Sequence, residues 1–504
     1  MKTFPKLMGI VLIVVLVMSM GVIALAEQTY SITVKDGYKG ETYTAYKIFD
    51  VVYSRDNYAY SITNTSAADE WFDDIVGTTE ADENGDYTLA TYGIKFQHTA
   101  TEGLYNIVDA VVGTNPTADE MGKLAAESAK HTSGKTAAGT GSVPKADGDA
   151  YGAKADVTIS VTPDEAGYYF VTTTTGALCA LDTADTTAEV QEKNDLPGLD
   201  KKESTTESDY TDGPIEENIG DTVFYQIVVT DGTGTDTAIT LTDTMSDGLD
   251  YKAGSLKINN SEAADDADTN DWKVTVSGHV ITIVLKADYV KTLEKNDSVV
   301  IAYQATINEK AIIDSATGNE NKAVLDYSNQ HTEDKVYVET YDFLLKKTDG
   351  NNFLEGAGFK LYDAATDGNE IKVTKDTSSA GDTTGDTTGD TATAVANSYY
   401  VDSEGSGDEI IINSADGVNI RGLAPGEYYL EETTVPNGYN KLSERKLVTI
   451  TSGATAAIEI TVINQSGAEL PSTGGIGTTI FYVVGGVMVL AALVLLITKK
   501  RMSD

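Results

Sequence analysis

Cysteine is nearly missing: Cys179 is the only one in 504 residues. No disulfide can close within the chain, so its stability must come from another device. Histidine is almost as scarce, and His98, His131, His279 and His331 are scattered, none in the spacing of a metal site or a catalytic triad. The sequence therefore gives no reason to expect a metal or a cofactor. Positive charge is short as well, with 36 Lys and Arg against 78 Asp and Glu, a formal net charge of -42. Phosphate binding needs Lys/Arg clusters, so this balance argues against nucleic acid as a partner. It suits a soluble, self-repelling surface protein. Two stretches imitate ligand loops and fail. Gly134-Lys135-Thr136 has Ala129 where a P-loop needs its first glycine, and Asp266-Ala267-Asp268-Thr269-Asn270 is followed by Asp271 where a calcium loop needs glycine.

Long apolar runs occur only at the two ends. Residues 1–26 have a short basic front (Lys2, Lys6), an apolar stretch and the small-x-small end Ala24-Leu25-Ala26, which reads as a secretory signal peptide cleaved before Glu27. At the other end Leu470-Pro471-Ser472-Thr473-Gly474 precedes an apolar run over residues 476–497, long enough to cross a bilayer, and then Lys499-Lys500-Arg501. A positive cluster directly after a span stays cytoplasmic, which places the preceding chain outside the cell. Residues 469–504 resemble the cell-wall sorting signal of Gram-positive surface proteins, whose LPxTG motif a sortase cuts between Thr and Gly. The resemblance implies that Thr473 becomes an acyl-enzyme and is passed to an amine, of peptidoglycan or of another protein, while the span is discarded.

The body between these ends is polar, and its roughly 450 residues suggest three domains of about 150. Residues 27–194 are mostly strand-like: Thr29-Tyr30-Ser31-Ile32-Thr33-Val34 alternates, residues 43–52 are rich in aromatic and β-branched side chains, and Asn84-Gly85 marks a tight turn. Ser66-Ala67-Ala68-Asp69 and Thr117-Ala118-Asp119-Glu120 have capping-box spacing and predict two helical insertions. Residues 130–152, without periodicity, predict an exposed loop. Asp195-Leu196-Pro197-Gly198 is a linker signal. In residues 195–335, Val223, Tyr225, Ile227 and Val229 share one face, and further buried runs lie at 281–285 and 299–307, as in an immunoglobulin-like sandwich. In residues 336–468, Tyr341, Phe343, Leu345 and Lys347 alternate onto one face, as do Tyr428, Leu430 and Glu432. The Gly-Asp-Thr-Thr repeat within residues 376–393 reads as a flexible insertion.

These stretches resemble the parts of a sortase-assembled pilus shaft protein. Val190-Gln191-Glu192-Lys193-Asn194 is similar to the Val-x-x-Lys-Asn form of the pilin motif, although the Tyr-Pro of its commoner form is absent. The resemblance implies that Lys193 is the amine that receives Thr473 of the next subunit. Residues 195–335 resemble the isopeptide-forming middle domain of pilus backbone proteins through Leu199-Asp200-Lys201-Lys202, Thr242-Asp243-Thr244 and the run from Asn321 to Asn329. What this implies is a bond from Lys201 to Asn321 assisted by Asp243, with Lys202 and Asn329 as fallbacks. Leu354-Glu355-Gly356-Ala357, Glu432-Thr433-Thr434-Val435-Pro436-Asn437-Gly438-Tyr439 and the final strand ending at Asn464 resemble the B-type repeat of collagen adhesins. That maps Lys347, Glu432 and Asn464 to its amine, acid and amide.

The implied chemistry is physically coherent. A lysine attacks a carboxamide only when neutral, and burial lowers its pKa. A carboxyl group kept protonated by the same burial can polarise the amide and move protons as ammonia leaves. The expectation is thus an all-β chain of tandem immunoglobulin-like sandwiches, collagen-adhesin A-type and B-type, with each Lys-Asn bond joining the first and last strands of its domain. It would be a pilus shaft subunit in the Gram-positive cell wall, with a pilin-class sortase, identical subunits, minor pilins and peptidoglycan as partners, and no enzyme. The alternative is a monomeric wall-anchored adhesin for host matrix or glycans.

Overall fold

The computed structural model describes residues 29–501 apart from 55–56, 66–69, 163–164, 174–176, 182–184, 233–236, 315–316, 378–396, 406 and 468–475. The signal peptide, the first predicted capping box, most of the 376–393 insertion and the whole Leu470–Gly474 motif lie outside the described residues. What is described is almost entirely strand, arranged as pairs of sheets that follow one another along the chain in tandem immunoglobulin-like sandwiches.

In the first pair, Ser31–Tyr38 is the central strand of a three-stranded sheet, antiparallel to Lys154–Ser160 and parallel to Thr187–Gln191, with Val34 opposite Val190. Two helices, Phe72–Val76 and Ala118–Lys130, are inserted between strands of the larger facing sheet. Ala118–Lys130 begins at the expected box, with Thr117 accepting from the Glu120 amide while the Glu120 carboxylate accepts from the Thr117 amide. The predicted loop over residues 130–152 contains a strand instead: Gly139–Ser142 pairs with the chain at Thr42 to Ala45. Its glycines permit this, because a Cβ on Gly139 would stand 2.2 Å from the Ser160 carbonyl oxygen and one on Gly141 2.5 Å from that of Thr158. A sequence without apolar alternation gives no strand signal, yet lack of side chains is what lets the backbone approach.

The second pair sets Gly198–Ser204, Thr222–Thr230 and Ser298–Ile307 in one sheet against Ile239–Met245, Asn319–Tyr327 and Gln330–Glu339 in the other. Val223, Tyr225, Ile227 and Val229 are all buried, as their alternation predicts. Asn319–Tyr327 is not the last strand. The chain turns at Ser328, with φ 52°, and returns as Gln330–Glu339, so a bond at Asn321 would reach the penultimate strand rather than the last. In the third pair Tyr341–Thr348 lies between Val418–Leu423 and the parallel final strand Ile458–Ile463, facing the sheet that holds Gly426–Thr434.

The second and third cores are continuous. At their junction the Ile219 amide donates to the Gly422 carbonyl (3.0 Å), and Arg421 donates to the Glu309 carbonyl (3.0 Å). Asp342 and Asp314 meet here, with Arg421 and its partner Asp376 beside them. Burial, then the neighbouring Asp314, pushes the Asp342 carboxyl up to about 8. A carboxyl raised above its unfolded value keeps a proton that the unfolded chain has lost, so folding stability falls as pH rises through the window from about 4 to about 8. Asp342→Asn should raise the melting temperature of the ectodomain at pH 8 and flatten its pH dependence across that window, which scanning calorimetry would read directly.

Candidate functional sites

Strand alternation builds both internal sites. Lys201 occupies an inward position on Gly198–Ser204, and Asp243 and Asn321 occupy inward positions on two neighbouring strands of the opposite sheet. In the third sandwich Lys347 closes the inward series Tyr341, Phe343, Leu345. Asn464 follows the adjacent strand, its amide donating to the Thr348 carbonyl (3.0 Å), and Glu432 comes from the facing sheet. Each of these six side chains is at most 2 % exposed. That is exceptional for Lys, Asp and Glu, which are seldom so buried without a partner.

In the middle sandwich Lys201 Nζ contacts Asp243 Oδ2 and lies 3.3 Å from Tyr303 Oη. Tyr303 Oη donates to Asp243 Oδ1 (2.6 Å) and accepts from Asn321 Nδ2 (2.7 Å). The Lys201 ammonium would sit over the rings of Tyr225 (5.1 Å) and Tyr303 (5.6 Å). Burial nevertheless dominates and pulls the Lys201 pKa below its ordinary value against the opposing pull of Asp243. Glu203, also inward and fully buried, accepts from the Ile215 amide (3.1 Å), and burial pushes its carboxyl up to about 8.

The third sandwich is simpler. Asn464 Nδ2 donates to Glu432 Oε1 (2.7 Å), the Leu442 amide holds Glu432 Oε2 (2.9 Å), and Lys347 Nζ stands 3.4 Å from Oε1. Lys347 Nζ makes no hydrogen bond, and burial lowers its pKa. Burial thus favours the neutral amine, the form that presents a lone pair. Asn321 Oδ1 and Asn464 Oδ1 are also buried without hydrogen-bond partners. Both sites can therefore support attack of a neutral amine on a carboxamide with a carboxyl at hand to shuttle protons.

The two fallbacks are elsewhere. Lys202 points outward and pairs with Asp200 (3.2 Å) and Asp212. Asn329 is exposed in the Ser328 turn, its backbone amide donating to Glu41 of the first sandwich (3.2 Å). Neither is near the buried cluster. Lys346 likewise faces out and pairs with Glu459 (2.7 Å), so strand phase alone separates it from Lys347.

Lys193 is exposed on a fixed stem. Glu192 beside it is buried, receives the Tyr43 hydroxyl on Oε2 (2.8 Å) and accepts the backbone amides of Lys193 and Asn194 on Oε1 (2.9 Å each). Tyr38 donates to the Asn194 carbonyl (2.7 Å) and Tyr151 to that of Pro197 (2.7 Å). The predicted linker is thus clamped to the first sandwich, and the lysine projects from an ordered segment. Sequence reasoning missed Tyr303 and Glu203. Their inward phase, Tyr303 with Val299, Ile301, Ala305 and Ile307, was the available signal.

At the C-terminus the helix Ile476–Arg501 ends in Lys499, Lys500 and Arg501, and an 18-residue window within Ile480–Arg501 has mean hydropathy 2.9.

Comparison with known proteins gives three family matches. Residues 341–466 match the SpaA family, a prealbumin-like fold domain; residues 219–331 match the Cna-B-like domain of Gram-positive pilin backbone subunit 2; residues 463–504 match the LPXTG cell wall anchor motif. The trypsin-resistant surface T6 protein of Streptococcus pyogenes serotype M6 is 24 % identical over 384 residues, 61 % of this chain and 70 % of that protein. Among solved structures, the T6 backbone pilin of that organism aligns over 84 % of this chain and 81 % of its own, with 18 % identity and a TM-score of 0.49. The full-length RrgB pilus protein of Streptococcus pneumoniae aligns over 89 % and 100 %, with 15 % identity and a TM-score of 0.42.

Proposed function

This chain belongs to the backbone pilins of Gram-positive bacteria, and on that premise we propose how it is linked, inside and between subunits. It is a structural shaft subunit of a cell-surface pilus, held at the cell wall through its LPXTG signal. In the proposed assembly a pilin-class sortase cleaves after Thr473 and transfers that carbonyl to Lys193 of the next identical subunit. Minor pilins and peptidoglycan take the ends of the polymer. Residues 27–194, 195–335 and 336–468 act as three domains, the first presenting the acceptor lysine and the other two carrying internal cross-links. One forms between Lys201 and Asn321 with Asp243 as acid, the other between Lys347 and Asn464 with Glu432 as acid. Each reaction runs once per molecule and expels ammonia, so no turnover is part of the proposal.

The observation that carries the reading is the fully buried amine of Lys347, without a hydrogen bond, beside the Glu432 carboxyl that also holds the Asn464 amide. A buried lysine in that position is costly to folding unless it is consumed. The anchoring half has a separate test. Deletion of Leu470 to Gly474 should remove every wall-bound form and leave only secreted or membrane-held monomer. Fractionation into wall, membrane and medium checks it, and wall-bound polymer in the deletion strain would defeat the sortase assignment.

A further inference from the structure

The two internal sites differ in how the acid reaches the amide. In the third sandwich one glutamate oxygen lies within reach of both reacting nitrogens, 3.4 Å from Lys347 Nζ and 2.7 Å from Asn464 Nδ2. In the middle sandwich the acid is an aspartate, shorter by one methylene, and it does not hydrogen-bond to Asn321. Its Oδ2 meets Lys201 Nζ, while its Oδ1 is connected to the amide only through the Tyr303 hydroxyl, 2.6 Å from Oδ1 and 2.7 Å from Asn321 Nδ2. Lys201 and Tyr303 stand on one sheet, Asp243 and Asn321 on the other, so the phenol completes a chain of contacts across the sandwich.

We infer that Tyr303 is a catalytic hydroxyl of the middle-domain reaction, relaying a proton from Asp243 to the departing nitrogen of Asn321. This rests on the isopeptide reading of Lys201 and Asn321. The proposed reaction starts with Lys201 neutral, Asp243 protonated on Oδ1 and the Tyr303 hydroxyl turned from Oδ1, to which it donates in the structure, toward Asn321 Nδ2, which becomes an acceptor once Cγ is tetrahedral. Nζ attacks Cγ of Asn321, forming the new C–N bond and giving one hydrogen to Asp243 Oδ2. The Oδ1 proton passes to Tyr303 Oη as Tyr303 gives its own to Nδ2. The Cγ–Nδ2 bond breaks with its electron pair on nitrogen, and ammonia leaves. Asp243 and Tyr303 end as they began, one proton having crossed the carboxyl from one oxygen to the other. Burial, then the Asp243 carboxyl, raises the Tyr303 pKa well above that of an ordinary phenol, which keeps the proton available on the relay. Tyr225 supplies an internal comparison. Its ring centroid is 5.3 Å from that of Tyr303, it is equally buried and its hydroxyl also faces the Asn321 amide, but it makes no hydrogen bond that links that amide to Asp243.

The test uses the full-length chain, sampled at fixed times after synthesis, with intact mass and peptide mapping assigning each ammonia loss to Lys201–Asn321 or Lys347–Asn464. Tyr303→Phe should slow the first bond by roughly 100-fold or more, the range of a lost general acid, while the second forms normally and reports that the chain is folded. Tyr225→Phe, which keeps the ring beside Lys201 and removes a hydroxyl that does not bond to Asp243, should slow the first bond far less than Tyr303→Phe does. Asp243→Glu in the Tyr303→Phe background should restore the first bond, because the added methylene lets the carboxyl reach the amide directly as Glu432 does. Rescue of this kind is not expected from a residue that only packs. The relay is overturned if Tyr303→Phe links at the wild-type rate, if both phenylalanine variants fail alike, or if the glutamate gives no rescue. Absence of the Lys201–Asn321 bond from the unmutated chain would instead defeat the isopeptide reading on which the relay rests.

Discussion

Glu432→Ala leaves the third domain folded but unlinked, and its melting temperature falls by roughly 15 °C or more. The reasoning begins with the loop. A bond from Lys347 to Asn464 closes roughly 120 residues, and the chain-entropy estimate for a cross-link of that span is about 4 to 5 kcal/mol. The strands it joins are parallel neighbours, Tyr341–Thr348 and Ile458–Ile463, so the bridge also spares their hydrogen bonds when the two ends of the domain are pulled. Without the carboxyl, the Asn464 amide and the Lys347 amine stay separate and the ammonia is retained. The variant gains a pH dependence that the linked protein lacks, since an amide nitrogen does not titrate. A lysine whose folded pKa is lowered by burial binds fewer protons folded than unfolded, so the stability of the variant should rise with pH toward the unfolded lysine value of 10.5. Calorimetry of the variant and of wild type from pH 6 to pH 10 reads both effects. Equal melting temperatures would mean that the bond does not carry the stability assigned to it.

Lys193→Ala abolishes the high-molecular-weight ladder of wall extracts while leaving monomer attached through Thr473. Its effect should be all or none, because a sortase acceptor needs an amine and alanine has none. The clamp beneath it makes a subsidiary expectation. Glu192 fixes the backbone amides of Lys193 and Asn194, so Glu192→Ala should retain the lysine and still shorten the ladder by loosening its presentation. Denaturing gels of wall extracts decide this, and an undiminished ladder in Lys193→Ala would move the junction to another amine.

The sequence made the frame legible where alternation was clean. Tyr341, Phe343, Leu345 and Lys347 read as one face, as did Tyr428, Leu430 and Glu432, and in the folded chain those faces meet around Lys347. Phase also separates Lys347 from Lys346 and Lys201 from Lys202. Three things were not legible. The strand Gly139–Ser142 has no side-chain pattern, only glycines that permit contact. The hairpin return after Ser328 adds a strand beyond Asn321, because a turn with a non-glycine residue at positive φ leaves little composition signal. Tyr303 looked like ordinary core, since a tyrosine in an inward position is usually only that. Its hydroxyl acquires meaning from Asp243 and Asn321, which arrive from another sheet.

The most direct measurement is the intact mass of the unmutated ectodomain from residue 27 to Thr473. A chain stabilised by Lys201–Asn321 and Lys347–Asn464 bonds has lost one ammonia for each and weighs less than its sequence by both. A mass equal to that of the sequence would mean that neither bond exists, and that Lys201, Lys347, Asn321 and Asn464 are buried polar residues held by ion pairs, hydrogen bonds and packing without a covalent link.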